Sequence, residues 1–564
     1  MSQLIKLLLR ASLCVACLAS VNFLTSHGVS LAAKASANAQ RKRARRVPAA
    51  RLDFAGARRV KTFQLVWQTV RDEHFDQTFG GVNWDAVRTR YAPRAAATRS
   101  DRELHYLLQA MIDELHQSHF AIIPPENIPR FDRRKSGPGG GAASGVAKSG
   151  DEEETPEDDE TEGSADLATR MLNGVGVDVR ILNSQVVITR VAEGGPASRA
   201  GLRIGFIIKS VDGEPLESGA RYLGAGGNAT TLAYFQMRQE LLVNYLGGEP
   251  GTDVRLTYLD EGNKEREVVI KRERLGGELS SPVGNLPPMY VEFEARRLPD
   301  GAGYLRFSAF TPGVAERICG ALRSMSDAPG VVIDMRGNPG GVMGLATGVT
   351  GLLTTKAGLI GSLYTRKGGL TLPTFPQKSP YTGPVAVLID GLSGSTAEVF
   401  AAALQESGRA VIVGERSAGM VLGADTLKLP TGALFVYARA GFITAQGTAL
   451  EGRGVTPDVE KKLDRDALLK GRDDQLEEAI RQLQPKDSRR AEVALPPTSS
   501  APLPIVVSSV APDSPPSSVS PHEDARATGD GHAVHKFEST REAERVMERY
   551  INALGGREAL GRVK

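Results

Sequence analysis

Apolar positions follow a helical period early in the chain and a strand period later. Leu104, Leu107, Leu108, Met111, Ile112 and Leu115 recur three or four apart, which is one face of an amphipathic helix. Ser100-Asp101-Arg102-Glu103 stands just before that face with the spacing of a capping box, so the helix starts there and ends near His116. Ser118 and His119 then fall on the segment leaving it. Residues 51–120 read as helical, within an N-terminal helical domain over 50–133. Further on the period changes to two. Val175, Val177 and Val179 alternate, Val186-Val187-Ile188 is a strand, and Ala197 to Leu202 is a short helix. Val254 to Tyr258 and Val268 to Ile270 flank a turn at Glu261-Gly262-Asn263. A compact β-rich module over 169–275 is the structure that pattern predicts. Over 276–484 the apolar runs Val331–Ile333, Val385–Ile389 and Ala410–Val413 are each followed by a Gly-rich turn or a helix, the pattern of an α/β layer.

Between these regions the composition shifts. Residues 134–168 hold a Gly-rich run, Gly137 to Gly141, and an acidic run, Asp151 to Glu162, which cannot bury a core and read as a flexible linker. Residues 485–535 are Pro- and Ser-rich and read as disordered. Over 536–564, Ser539-Thr540-Arg541-Glu542 is a second capping box before Ala543, Val546, Met547, Tyr550, Ile551 and Leu554. A lone helix cannot bury that face, so it docks on the body, meets a partner or opens a further domain. At the other end, Lys6 and Arg10, the apolar stretch Ala11–Leu24 and Ala37-Asn38-Ala39 have the order of an export signal over 1–39. The stretch is short for a membrane anchor, which is the alternative. The expected mature protein has no membrane span and is exported, periplasmic or secreted.

The chain has 564 residues, and 69 Lys and Arg against 66 Asp and Glu leave a net charge of +3. That balance argues against a nucleic-acid partner. Of three cysteines, Cys14 and Cys17 lie in the apolar start, leaving Cys319. A disulfide framework and a zinc site built on cysteine are both excluded. His116 and His119 have no third ligand nearby in sequence, so neither a metal nor a cofactor is expected.

Two Gly-rich turns after buried strands are the places for chemistry. Leu392-Ser393-Gly394-Ser395-Thr396-Ala397-Glu398 follows Val385–Asp390 and opens a helix with Ala397, Phe400, Ala401 and Leu404 on its apolar face. Ser395 is there either an exposed nucleophile beside free helix N–H groups or simply an N-cap. Asp334-Met335-Arg336-Gly337-Asn338-Pro339-Gly340-Gly341 lacks the Lys-Ser/Thr of a phosphate loop, and its glycines let backbone N–H groups converge. His119 and Glu451, the latter in a Gly-rich loop, are the base and carboxylate candidates, with structural and surface roles as alternatives.

Taken in order, these segments resemble the C-terminal processing (tail-specific) serine peptidases and their tricorn-core relatives over roughly residues 50–480. The resemblance rests on Gly81-Val82-Asn83-Trp84-Asp85 and Leu115 to His119, on Gly174 to Val177 with Gly195 to Leu202 and Val211-Asp212-Gly213, and on Asp334 to Gly341, Ser393 to Glu398, Gly408-Arg409-Ala410, Val413-Gly414-Glu415 and Gly454 to Asp458. It implies a multidomain α+β fold: an N-terminal helical bundle, a PDZ-like β domain and an α/β (ClpP/crotonase-like) catalytic core. The processing branch uses a Ser/Lys dyad, but the lysine position here is Met420, which takes no proton. A displaced lysine such as Lys428 is a poor substitute. The tricorn branch uses a Ser-His pair and a late Glu. The resemblance thus implies Ser395 as nucleophile, His119 as general base, and Ser118 and Glu451 as groups that orient and polarise it. Thr396 N–H with that of Gly340 or Gly341 would form the oxyanion hole. Gly174, Val175, Gly176 and Val177 would hold a peptide's terminal carboxylate, or the module would only gate the site. The expected partners are protein and peptide substrates, and a homo-oligomer is compatible. The competing reading is an inactive relative that binds peptides or a hydrophobic ligand.

Overall fold

The computed structural model describes residues 54–128, 167–216, 228–283 and 288–484. The export-signal stretch, most of the acidic linker and the final amphipathic segment lie outside the described residues. The chain divides into two units. One comprises residues up to Leu275, Ala424–Tyr437 and Leu468–Gly471; the other comprises Gly276–Gly423, Ala438–Ala467 and the residues from Arg472 on.

The first unit begins with helices α1 (Phe54–Glu73), α2 (Trp84–Ala96) and α3 (Asp101–Ile112). The apolar face of α3 is buried from Leu104 through Ile112. Ser100 accepts the Glu103 N–H at 3.1 Å, but the Glu103 carboxylate takes the Arg99 N–H, one residue before the N-cap. The predicted capping box is therefore half formed, its other arm shifted by one. A 3₁₀ turn, Asp113–Leu115, comes next, and His116 stops it in the left-handed region at φ 51°. Helices α1 and α2 are locked by a reciprocal pair: Trp67 Nε1 donates to Trp84 O and Trp84 Nε1 to Trp67 O, both at 3.0 Å and both buried. Strand β1 (Ala121–Ile123) pairs antiparallel with the start of the strand Leu434–Thr444, Ala121 opposite Val436.

The β-rich stretch of this unit is an antiparallel sheet in the order β2 (Val177–Leu182), β3 (Gln185–Val191), β4 (Ile207–Val211), β5 (Asp253–Leu259), β6 (Glu265–Lys271). Gly176, at φ 79°, breaks the extended run, so the strand starts at Val177 and not at Val175. The short helix α4 (Pro196–Arg199) and the longer α5 (Asn228–Gln239) accompany it. Val175, Val179, Val186, Ile188, Phe206, Ile208, Leu241 and Leu256 form its core.

The second unit is built on a sheet in the order β7 (Phe293–Arg297), β8 (Gly303–Phe307), β9 (Val331–Asp334), β12 (Val385–Ile389), β13 (Val411–Gly414), β14 (Val459–Glu460), parallel from β8 onward. Strands β10 (Leu359–Thr365) and β11 (Gly368–Pro373) form a separate hairpin whose first strand pairs with the rest of Leu434–Thr444. Alternation explains the unbroken apolar runs. Val331, Ile333, Val385, Val387, Ile389 and Ile412 join the layer that holds α6 (Pro312–Ser324), α7 (Gly344–Gly351) and α8 (Thr396–Glu406). Val332, Ala386, Leu388, Val411 and Val413 join the opposite layer with Ala479 and Leu483 of α9 (Asp474–Leu483). Both faces are covered, so polar alternation is absent.

The chain's two tryptophans are the two partners of the α1–α2 lock. Replacing Trp84 with Phe removes the indole donor that Trp67 O accepts in addition to its helical partner, at a cost of about 0.5–1.5 kcal/mol. Urea unfolding followed by the remaining Trp67 emission should show a lower midpoint than wild type. An unchanged midpoint would mean the pair contributes nothing.

Candidate active site

Strands β9 and β12 are parallel neighbours, Asp334 opposite Leu388, so the turns that leave them lie side by side at the carboxyl edge of the sheet, where ligands bind in parallel sheets. The turns are tied at several points. Asp390 Oδ1 accepts the N–H of Gly337 and of Leu392. Ser393 Oγ donates to Met335 O, and Gly394 N–H donates to Asn338 O. Asn338 is wholly buried; its amide donates to Phe307 O and its Oδ1 accepts Gly340 N–H at 2.9 Å.

The Asp334 loop is anchored from below by charge. Asp334 is fully buried and accepts from Tyr304 hydroxyl at 2.8 Å and Arg336 Nη2 at 2.7 Å. Burial opposes its ionisation, but Arg336 and Arg306 beside it hold the carboxyl well below the usual range. Arg336 also donates to Asp473, the N-cap of α9, and to Gln475. The loop is thereby fixed to the opposite helical layer.

Ser395 sits at the junction into α8 with φ 53° and ψ −120°, a conformation that non-glycine residues rarely adopt. Strain of this kind clusters at functional sites, and here it bends the chain sharply into an elbow at the helix start. The elbow is held by Glu398. Its carboxylate accepts Ser395 N–H at 3.0 Å, Met420 N–H at 2.9 Å, Gly419 N–H at 2.7 Å and the Ser417 hydroxyl at 2.6 Å. Burial pushes the Glu398 carboxyl up to about 7, and those four donors pull the other way. Ser395 N–H also lies 2.9 Å from Met420 O. The backbone at the expected lysine position therefore touches the elbow, while its side chain is methionine.

Glu451 reaches the same place from the next loop, its Oε2 accepting Val421 N–H at 2.7 Å. Thr396 hydroxyl donates to Gly341 O at 2.9 Å. Gly340, at φ 100°, faces the elbow so closely that an added Cβ would lie 2.7 Å from Ser395 Cβ and 2.8 Å from Thr396 N. This unit therefore brings together Ser395, Thr396, Gly340, Gly341 and the Glu451 loop. Lys428 is exposed and belongs to the first unit.

Ser118 and His119 also belong to the first unit. Ser118 Oγ lies 2.7 Å from His119 Nδ1, and His119 is left-handed at φ 60°. Desolvation pushes its imidazole down to about 4. Gly174 pairs with Glu273, and the carbonyls of Val175 and Gly176 accept from Ala197 and Ala192 N–H. The adjacent edge strand β2 is covered by side chains. Val179 N–H donates to Asp178 Oδ1, Arg180 donates to Val179 O, and Ile181 N–H donates to the Tyr234 hydroxyl. Arg238 of α5 closes on Asp178 at 2.7 Å. A peptide adding to this edge must displace those contacts.

Residues 301–461 match the family described as Peptidase family S41, and 57–113 match the Tricorn protease C1 domain. Residues 301–461 thus form a family S41 serine peptidase domain. Among relatives of this peptidase, the carboxyl-terminal-processing protease of Synechocystis sp. is 23% identical over 404 residues, 70% of this chain and 80% of that one. A probable CtpA-like serine protease of Staphylococcus aureus is 24% identical over 290 residues, 51% of this chain and 52% of that one, so the peptidase spans about half of that relative. Among solved structures, the photosystem II D1 C-terminal processing protease has a TM-score of 0.45 at 20% identity, over 73% of this chain and 96% of that one. Among the described residues no helix is long and apolar enough to cross a membrane.

The sequence reading missed Glu398, Asn338, Asp390 and Ser417 as parts of the site. Glu398 had a legible signal, since Ser395-Thr396-Ala397-Glu398 has the capping-box spacing found at Ser100. Replacing Gly340 with Ala should abolish peptide hydrolysis, because the new methyl collides with Ser395 and with the Thr396 N–H. Hydrolysis by a folded G340A protein at wild-type rate would remove Gly340 from the site.

Proposed function

We propose that the peptidase is an exported endopeptidase that cleaves unfolded or tail-tagged proteins through an acyl-enzyme on Ser395, with His119 as general base. The observation that carries this reading is the elbow: a serine strained at φ 53°, opening a helix and pinned to the loop where the lysine of a Ser/Lys dyad would stand. Methionine at 420 supplies no base, so the proton must go elsewhere. In this reading Nδ1–H of His119 donates to Ser118 Oγ, which leaves the basic lone pair on Nε2. In this reading His119 takes the Ser395 proton during attack on the peptide carbonyl, returns it to the leaving amine, and then repeats the transfer with water. Ser118 orients the ring, and Glu451, fixed on Val421, polarises the relay. The oxyanion receives the Thr396 N–H and that of Gly341, since the Gly340 N–H is committed to Asn338. Relatives named as carboxyl-terminal-processing proteases support the substrate class, and the charged-then-apolar start of the chain supports export. A purely ligand-holding role would leave the strained serine without a purpose.

A fluorophosphonate probe should label the wild-type protein while Ser395→Ala and His119→Ala stay dark. Labelling of S395A at the wild-type rate would overturn the assignment of the nucleophile. Met420→Lys should bring no gain if His119 is the base.

The pH profile gives an independent check. A base works only when unprotonated, and burial moves that transition for His119 from 6.5 to about 4. The labelling rate should therefore stay level as pH falls through 6.5 and decline only toward 4. A half-maximal rate near 6.5 would place the working base in water-exposed surroundings instead.

A further inference from the structure

We propose that His74 is a positioning residue for the catalytic base, acting through Gln117; this rests on His119 being that base. His74 is fully buried just beyond the end of α1. Its Nε2–H donates to Gln117 Oε1 at 2.7 Å. Its Nδ1 lies against the backbone of Asp76, 3.1 Å from N and 2.7 Å from O. One ring face stacks near Phe75, with centroids 4.7 Å apart and planes 20° apart, and the ring is also stacked with Phe120 at 5.8 Å and 12°. Gln117 immediately precedes Ser118, and Phe120 immediately follows His119. A single buried imidazole thus holds both ends of the two-residue segment that carries the base.

The segment needs holding. His116 and His119 both adopt positive φ, 51° and 60°, so the chain reverses twice in four residues against its own preference. A 3₁₀ turn of three residues does not fix the path of the chain beyond its own end. The Gln117 side chain and the Phe120 ring supply two fixed points on either side of Ser118-His119, and His74 anchors both. Asp76 in turn is held by its own loop: its carboxylate accepts the N–H of Thr78 and of Gly80 at 2.8 Å each. The backbone that Nδ1 rests on is therefore held by contacts that do not involve the segment. A misplacement of the base by about 1 Å costs up to about a hundredfold in rate, so the expected effect falls on turnover, not on substrate binding.

The experiment compares His74→Phe, His74→Gln, Gln117→Ala and the double variant His74→Phe/Gln117→Ala in the full chain. Rates are expressed per active site titrated with a fluorophosphonate, which removes any loss of folded protein from the comparison. H74F keeps the aromatic stack and loses the donor. Its kcat and labelling rate should fall about 10–100-fold with KM within twofold. H74Q offers an amide donor to Gln117 and should recover most of that loss. Q117A should match H74F, and the double variant should be no slower than either single one, because both remove the same contact. H74F or Q117A at the wild-type rate per site, or a double variant with multiplied losses, would overturn the proposal. His119→Ala separates the two claims. If H119A still labels, the base assignment fails first; if H119A is dark and H74F is normal, only the role of His74 falls.

Discussion

A buried carboxylate with four donors holds the edge that carries Ser395 in shape. Glu398 costs several kcal/mol to bury as an anion, and it repays that cost only while Ser395 N–H, Gly419 N–H, Met420 N–H and Ser417 hydroxyl all point at it. Take the acceptor away and the Gly419 and Met420 N–H groups lose their acceptor at once, while Ser395 N–H keeps only Met420 O. Its position in the first turn of α8 adds the favourable field of the helix start. The same carboxylate fixes the strained serine and the loop after β13, and Ser417 passes the constraint on to Val455 N–H. Ser395, the neighbouring loop and the Glu451 loop are therefore one hydrogen-bonded object.

A second buried charge plays the corresponding role for the glycine loop. Asp334 and Arg336 neutralise each other inside the protein and extend to Asp473 on α9. Gly340 lies against Ser395 and Gly341 against the Phe310 backbone because neither has a side chain, and both owe their fixed position to this ion-pair chain. Flexibility in residue type and rigidity in anchoring coexist in eight residues.

Much of this was legible. The parallel strands could be read because both faces of the sheet are covered, which leaves uninterrupted runs such as Val385–Ile389. The start of α3 and its end near His116 could be read from periodicity and capping. Ser395 could be placed at a helix start, but its strain could not, because φ is not written in residue type for a serine. The hairpin β10–β11 escaped notice because its residues are half polar and partly exposed, with Tyr364 and Leu370 on the surface. Long-range side-chain closures escaped for a different reason. His74 with Gln117, and Tyr234 with Ile181, join positions 43 and 53 residues apart, beyond any local period.

The β-rich stretch of the first unit also includes a piece from far downstream. Leu469, in the short segment Leu468–Gly471, packs against its core, and Gly205 must remain bare because a methyl there would meet Leu469 Cδ2 at 2.7 Å. Gene fragments that stop at residue 275 would thus omit one tile of the mosaic they aim to isolate. Such a module cannot be exchanged between proteins as a bead on a string; insertion, deletion and swapping must keep two distant cuts in step.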